Sequence, residues 1–325
     1  MRRSALLAAA LLGTATALWW AGPVRAGRSA GASSLIIGKL PVGVRAIGLS
    51  GAYAAVAGEP SAIYWNPAGL SHIDRRRFEM SHEEQGESIR MENVLVSVPL
   101  ILGGTVGAAF SFMSQPPIME ILEDASGEPL GSSRTLSVYQ YKGAVGFGQD
   151  LGKLTPVPEL GDLWNKGAVG AAVTVLGEHI GKSTATAVSV DLGYMYEDPN
   201  EGRSAGIVVR QVGTPAFGRP IPVTGQAGVG QVIQGVLWTF DVATAADDVL
   251  RLRGGIEYAH PFGLSTITLR GGAQHSFSSD LMAPYTVGLG YRLALEDAFD
   301  IGIEYAYMPV KGFQDLHAIS VQVGL

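Results

Sequence analysis

Residues 299–307 read FDIGIEYAY, and their strict alternation decides the fold class. Phe299, Ile301, Ile303, Tyr305 and Tyr307 share one side of an extended chain, while Asp300, Gly302, Glu304 and Ala306 share the other. The same period of two runs through 285–293, where Tyr285, Val287, Leu289, Tyr291 and Leu293 oppose Thr286, Gly288, Gly290 and Arg292. It recurs at 187–196, with Val188, Val190, Leu192, Tyr194 and Tyr196 on the apolar side. A soluble β-sandwich alternates in the same way, so periodicity by itself leaves two architectures open.

Three observations favour an all-β transmembrane antiparallel barrel. Aromatics cluster at the ends of apolar faces, at Tyr194 and Tyr196, Trp238 and Phe240, and Tyr305 and Tyr307, where a barrel places its interfacial girdles. The opposite faces carry both signs of charge, at Arg251, Arg253, Glu257, Arg270, Arg292, Asp300 and Glu304, as a polar lumen does. The third observation is the count. Alternating segments fall near 76–82, 90–99, 102–113, 134–149, 168–178, 184–196, 203–212, 224–231, 232–242, 250–260, 264–274, 284–293, 298–307 and 317–325. That makes about fourteen, an even number, as closed bacterial barrels have.

Connection lengths sort into two sets. Short turns are expected at 99–104, 198–202, 261–263 and 294–297, and longer connections at 114–133, 213–223, 275–283 and 308–316. With both termini on the periplasmic side, the short set is periplasmic and the long set external. The stretch 150–166, with Pro156 and Pro158, is too long for a periplasmic turn and is expected to hold a short helix or a docking loop. The division between the eighth and ninth strands is placed near Gln231. The chain ends on Ile319, Val321, Val323 and Leu325, spaced by two, which resembles the terminal strand read by barrel-assembly machinery, although Phe is the commoner last residue there.

The other end sets the compartment. Met1, Arg2 and Arg3 form a basic region, 5–20 an apolar run, and Val24, Arg25 and Ala26 a small-x-small cleavage site. Together they predict a signal peptide over 1–26 with Sec-type export; a single transmembrane helix is the alternative, disfavoured by the shortness of the run. Cysteine is absent, so the chain folds without disulfides and carries no lipid on an N-terminal Cys. Glycine is abundant at 44 residues and only 16% of residues are charged, yet no later stretch is apolar for long enough to span a bilayer as a helix, which leaves strands to do so. A net charge of −6 argues against a nucleic-acid partner.

Between the two lies 48–70, GLSGAYAAVAGEPSAIYWNPAGL. Its first half is built of small residues and an Asn-Pro-Ala-Gly-Leu turn closes it, a composition suited to a chain packed tightly inside another structure. This stretch resembles the N-terminal segment of the outer-membrane FadL (OMPP1/FadL/TodX) superfamily. Downstream, Val209-Arg210-Gln211-Val212-Gly213 followed by Pro220-Ile221-Pro222 resembles the "VxNLG…PLP" segment of one branch, the PorV/PorQ family, with Gln211-Val212 in place of Asn-Leu. The run 312–320, GFQDLHAIS, resembles that branch's closing "GLG…HRIS" strand, with Ala318 in place of Arg. The resemblance implies an outer-membrane barrel over 76–325 whose segment 27–75 folds into the lumen as a hatch, with a hatch turn at Asn66, Pro67, Ala68, Gly69 and Leu70.

The residues offer no catalytic constellation. Ser50 lacks the second glycine of a nucleophile elbow, and the histidines His72, His82, His179, His260, His275 and His317 have no metal-ligand spacing. Gly146-Phe147-Gly148 and Gly228-Val229-Gly230 lack the third glycine of a dinucleotide loop and read as lumen-facing strand glycines. No enzymatic activity, cofactor or metal is expected. Arg251, Arg253, Glu257, Arg270, Arg292 and Glu304 either line a solute path or pair across strands, the second being commoner. Tyr64 and Trp65 are the hatch side chains placed to touch a hydrophobic ligand or to pack on the wall.

Three functions follow for that fold. The branch resemblance implies a component of type IX protein secretion or cargo attachment. The superfamily resemblance implies a gated channel for long-chain fatty acids or other hydrophobic compounds. The third is a structural barrel without a transported ligand. The expected partners are outer-membrane lipid, the barrel-assembly machinery, and either secretion-system proteins or hydrophobic small molecules.

Overall fold

Strands of alternating apolar and small or polar residues bury one face and expose the other, and in a barrel the exposed face is the apolar one. A computed structural model describes residues 34–56, 58–85, 88–123, 126–247, 250–277, 285–296, 299–310 and 315–325. The expected signal peptide, residues 27–33 and residues 312–314 of the closing motif lie outside the described residues.

The strands are β1 Arg77–Gln85, β2 Ile89–Pro99, β3 Gly104–Ser114, β4 Ile118–Glu123, β5 Pro129–Leu136, β6 Val138–Asp150, β7 Gly167–Ile180, β8 Ser183–Asp198, β9 Arg203–Gly213, β10 Thr224–Ile233, β11 Val236–Ala245, β12 Arg251–Phe262, β13 Ser265–Ser276, β14 Tyr285–Glu296, β15 Phe299–Met308 and β16 Leu316–Gly324. Fourteen of them form one closed antiparallel barrel, in which neighbours in sequence are neighbours in space, apart from β4 and β5, which form a separate hairpin. Closure comes from β1 on β16, with Arg77 opposite Gly324 and Glu84 opposite His317. A closed ladder leaves no unpaired strand edge, the condition for placing a sheet in lipid.

The outer face is apolar around the ring. Phe78 and Met80 on β1, Val94 and Val96 on β2, Leu192 on β8, Leu289 on β14 and Val321 on β16 are all exposed, whereas Glu79, Ser81, Asn93, Asp191, Thr286 and Ser320 on the same strands are buried. Water would penalise so continuous an apolar exterior, and hydrocarbon accepts it. No helix among the described residues is long and apolar enough to cross a membrane.

Strand direction separates the connections into two ends. The turns at 100–103, 199–202, 234–235 and 263–264 share the end at which β1 begins and β16 finishes. The connections 115–137, 214–223, 246–250 and 309–315 lie at the opposite end, with two short ones at 86–88 and 181–182. These are called the short-turn and long-loop ends.

Three local expectations need correction. The eighth and ninth barrel strands divide at Gln234 and Gly235, not at Gln231; both residues have positive φ (52° and 78°), as a two-residue hairpin turn with the right twist demands. Residues 134–136 belong to the β4–β5 hairpin, with Glu120 opposite Arg134, and the barrel strand starts at Val138. Leu102 and Gly103 have φ of 65° and 75°, so they form the turn and β3 begins at Gly104. The stretch 150–166 does hold short helices, at Leu151–Leu154 and Gly161–Asn165, with a 3-10 turn at Pro158–Leu160 between them.

Candidate functional site

Residues 34–56 and 58–73 pack against the inward-facing side of the wall strands. Ser34 N donates to the Pro220 carbonyl and Lys39 Nζ lies 2.6 Å from Asp247 Oδ2, so the described part of the segment starts at the long-loop end. It reaches β1 at the short-turn end, where His72 Nε2 stands 2.8 Å from Glu197 Oε2 near the end of β8. On the way it lays its short elements against different parts of the wall. The helix Val44–Gly48 rests on β13, β14, β15 and β16; the helix Ala62–Trp65 on β3 and β6; the 3-10 helix Pro67–His72 on β3, β6, β7 and β8.

Local chemistry explains these breaks. Gly43 enters the first helix at φ 94°, a value glycine adopts freely. The helix stops in a Schellman arrangement: Gly51 N donates to Ala46 O (2.8 Å) and Ser50 N to Ile47 O (2.9 Å), with Ser50 left-handed at φ 53°. Asn66, which precedes Pro67, is extended (φ −148°) and caps the next helix, its Oδ1 accepting from Ala68 N at 3.2 Å. Its Nδ2 donates to Ala54 O (2.8 Å) and to Tyr194 O on β8 (3.2 Å). One fully buried amide therefore joins two parts of the segment to the wall.

Small residues face small residues at this seam. A Cβ on Gly170 would strike the backbone of Pro67 and Ala68, and one on Gly206 the carbonyl of Ala54. Gly146 and Gly148 likewise face Ile63 and Pro67, so they are strand glycines turned into the lumen. Apolar contacts complete the seam: Leu35, Ile63 and Leu70 pack with Met91, Leu95 and Leu176, and Val44 and Ile47 with Met308 and Leu316. Each large apolar side chain buried there contributes ~1.5–3 kcal/mol.

The structure joins three of the six lumen charges into one network centred on a residue the sequence did not single out. Arg45 Nε and Nη2 donate to the two oxygens of Glu257 at 2.8 and 2.7 Å. Arg270 Nε donates to Glu257 Oε2 (2.6 Å) and its Nη2 to Glu304 Oε1 (2.8 Å). Arg45 Nη1 lies 3.6 Å from Glu59 Oε1, and Tyr53 OH donates to Glu59 Oε2 at 3.2 Å. Burial alone would lower the Arg45 pKa, but Glu257 and Glu59 outweigh it and hold the guanidinium above its ordinary value. Burial beside Glu59 raises the Tyr53 phenol, which stays a neutral donor.

The other three lie elsewhere. Arg253 Nη1 reaches Gly51 O at 3.4 Å and its guanidinium stands 5.9 Å from the Trp65 ring. Arg292 Nε is 3.7 Å from Asp300 Oδ1 at the short-turn end of the lumen. Arg251 sits at the opposite end of the wall, across from Ser276 on β13. Tyr64 and Trp65 are enclosed by protein: Lys142 Nζ is 4.5 Å from the Tyr64 ring, Arg210 stands 5.3 Å from that of Trp65, and Trp65 Nε1 donates to Val42 O at 2.7 Å.

Further buried groups were not singled out from the sequence. Asp241 Oδ2 accepts from Ala54 N (2.8 Å) and from Gln226 Nε2 (2.6 Å), while Lys142 Nζ donates to Ile37 O (3.1 Å). Glu79 on β1 is fully buried, and neither carboxylate oxygen has a hydrogen-bond partner among the described residues. The signal that could have found them is parity: each lies on the small or polar side of its strand, where a charge faces inward.

At the long-loop end, Leu35, Ile36 and Phe217 line a cleft of about 480 Å³ together with Ser34, Glu178 and Arg219. No protein-family model matches this chain, and no curated protein matches it. Solved structures do. The monoaromatic hydrocarbon channel CymD superposes with a TM-score of 0.58 at 11% identity, over 90% of this chain and 97% of its own. The toluene transporter TodX of Pseudomonas putida gives 0.55 at 10% identity, over 83% and 94%. A FadL homologue of Pseudomonas aeruginosa gives 0.54 at 9%, over 87% and 97%.

The fold is the TodX fold. Identities near one residue in ten extend the likeness to TodX no further than the path of the backbone.

Proposed function

We propose that this chain is an outer-membrane protein of the FadL superfamily that admits small hydrophobic compounds past an N-terminal hatch, 27–75, set in a wall formed by 76–325. The observation that carries this reading is the cleft at the long-loop end, where Leu35 and Ile36 of the segment meet Phe217 of the β9–β10 loop, with Ser34, Glu178 and Arg219 completing the lining. A ligand entering there meets the hatch first, and passage requires the hatch to shift. Proteins that share the fold include a toluene transporter and a monoaromatic hydrocarbon channel, which supports a hydrophobic ligand. The hatch turn Asn66, Pro67, Ala68, Gly69 and Leu70 holds the segment to β7 and β8. The reading gives no role to a catalyst.

Uptake tests it. Cells that depend on this protein should take up labelled toluene or a labelled long-chain fatty acid faster than cells deleted for it, and Ile36→Asp with Phe217→Asp should reduce the difference. Equal uptake with and without the protein contradicts the reading.

A second reading, a component of type IX secretion, keeps one structural point. Gln211 lies at φ 61°, a left-handed conformation that Asn, the residue of the PorV/PorQ pattern at this place, adopts readily. Recovery of exported cargo with the purified protein would favour it; a preparation free of cargo from secreting cells would not.

A further inference from the structure

The short-turn end is uneven. Its turns at 199–202 and 234–235 are tight and polar, yet the neighbouring connections 100–103 and 151–166 carry Leu100, Ile101, Leu102, Leu154, Leu160 and Leu163, all exposed, Ile101 at 89%. The helix Leu151–Leu154 packs against the turn Ile101–Gly103, so the two connections form one patch. That patch continues the outer wall. Leu100 follows Val94, Val96 and Val98 in the outward parity of β2, and the Tyr194 hydroxyl, on the outer face of β8, donates to the Leu163 carbonyl. Trp164 is held beside it, Nε1 donating to Thr155 O at 2.9 Å.

Leucines that prolong a lipid-facing wall, a tryptophan and a tyrosine at its edge, and lysines at 153 and 166 beyond it make up the composition of a membrane–water interface. The local charges, Asp150, Lys153, Glu159, Asp162 and Lys166, sum to 2 − 3 = −1, so anionic headgroups are not what attracts it. We infer that residues 151–165, with the turn 100–103, form an interfacial anchor that lies in the leaflet at the short-turn end and fixes the depth of this side of the barrel. The occupant of the patch is lipid at the level where headgroups meet acyl chains.

Brominated lipids read this directly, because bromine quenches tryptophan only at close range. Residues 27–325, the chain without its expected signal peptide and hence without Trp19 and Trp20, with Trp65→Phe and Trp238→Phe and folded into phosphatidylethanolamine–phosphatidylglycerol vesicles, leave Trp164 as the reporter. Lipid brominated near the headgroup should remove more of its emission than lipid brominated near the chain end, and Leu160→Ser with Leu163→Ser should weaken that quenching. A protein keeping Trp238 alone, exposed on the outer face of β11, serves as control. If Trp238 is quenched while Trp164 is untouched by either lipid and open to aqueous iodide, the anchor is wrong and the barrel reading stands. Deeper quenching of Trp164 by chain-end bromine, or no effect of the serine pair, also overturns it. Should the double Phe variant not fold, the difference between wild type and Trp164→Phe gives the same reading.

Discussion

Asn66 shows how much can hang on one side chain. It is fully buried, caps one helix and satisfies two carbonyls, one in the segment and one on β8. Asn66→Ala strands these groups away from water and should cost the segment about 1–3 kcal/mol. The barrel would persist, so the expected outcome is exposure of Trp65 at lower denaturant, seen as a red-shifted emission, with heat-modifiable gel mobility retained. Arg45 poses the opposite problem, a buried charge with two carboxylate partners. Removing it as Arg45→Leu leaves Glu257 and Glu59 short of a counter-charge and should destabilise the segment by ~3 kcal/mol or more, with Glu257→Gln in the same chain recovering part of the loss. Glu79, buried without a hydrogen-bond partner among the described residues, should behave in reverse: Glu79→Gln removes the cost of burying an ionisable carboxyl and raises the denaturant midpoint. A lowered midpoint would show that Glu79 holds an attraction its geometry does not reveal.

At the scale of elements, the wall strands were legible and the pairings of the inner segment were not. Period-two alternation needs only one sequence window, and it placed all the barrel strands to within a few residues. It failed at Gln234-Gly235, because Val232, Ile233, Val236 and Leu237 carry apolar character through the turn and Gln-Gly is a weaker turn signal than Asn-Gly. It also passed over the β4–β5 hairpin, whose run IMEILE has apolar residues on both faces. The bulge on β9 was equally silent: Asp191 faces both Arg210 and Gln211, and the Gln211 amide N donates to Asp191 Oδ1 at 2.6 Å. Gln211→Val forces a β-branched residue into a left-handed conformation and should lower thermal stability, whereas Gln211→Asn should be tolerated. Arg45 and Glu59 lie in an irregular segment without period, so no pattern could pair them with Glu257 and Arg270 on distant strands.

At the scale of the whole molecule, a closed wall packs against the irregular segment that precedes it. Wall and segment meet through glycines, and crowding them should dislodge one without opening the other. In Gly170→Ala and Gly206→Ala the added methyl collides with segment backbone, which cannot step aside as a flexible side chain can. Both variants should keep the barrel while raising ion conductance across a planar bilayer; unchanged conductance would mean that the seam is looser than it looks. The most direct measurement is a lock. The chain contains no cysteine, and an ideal Cβ on Gly48 lies 3.5 Å from the Gly288 Cα, while one on Gly288 lies 3.3 Å from the Gly48 Cα. The segment and β14 therefore run side by side at these two positions, close enough for a cross-link across the seam once the backbones ease slightly apart. In cells making Gly48→Cys with Gly288→Cys, oxidant should form the cross-link and slow uptake of labelled toluene, and reductant should restore it; failure of the cross-link to form, or uptake that ignores it, would contradict a hatch inside this barrel.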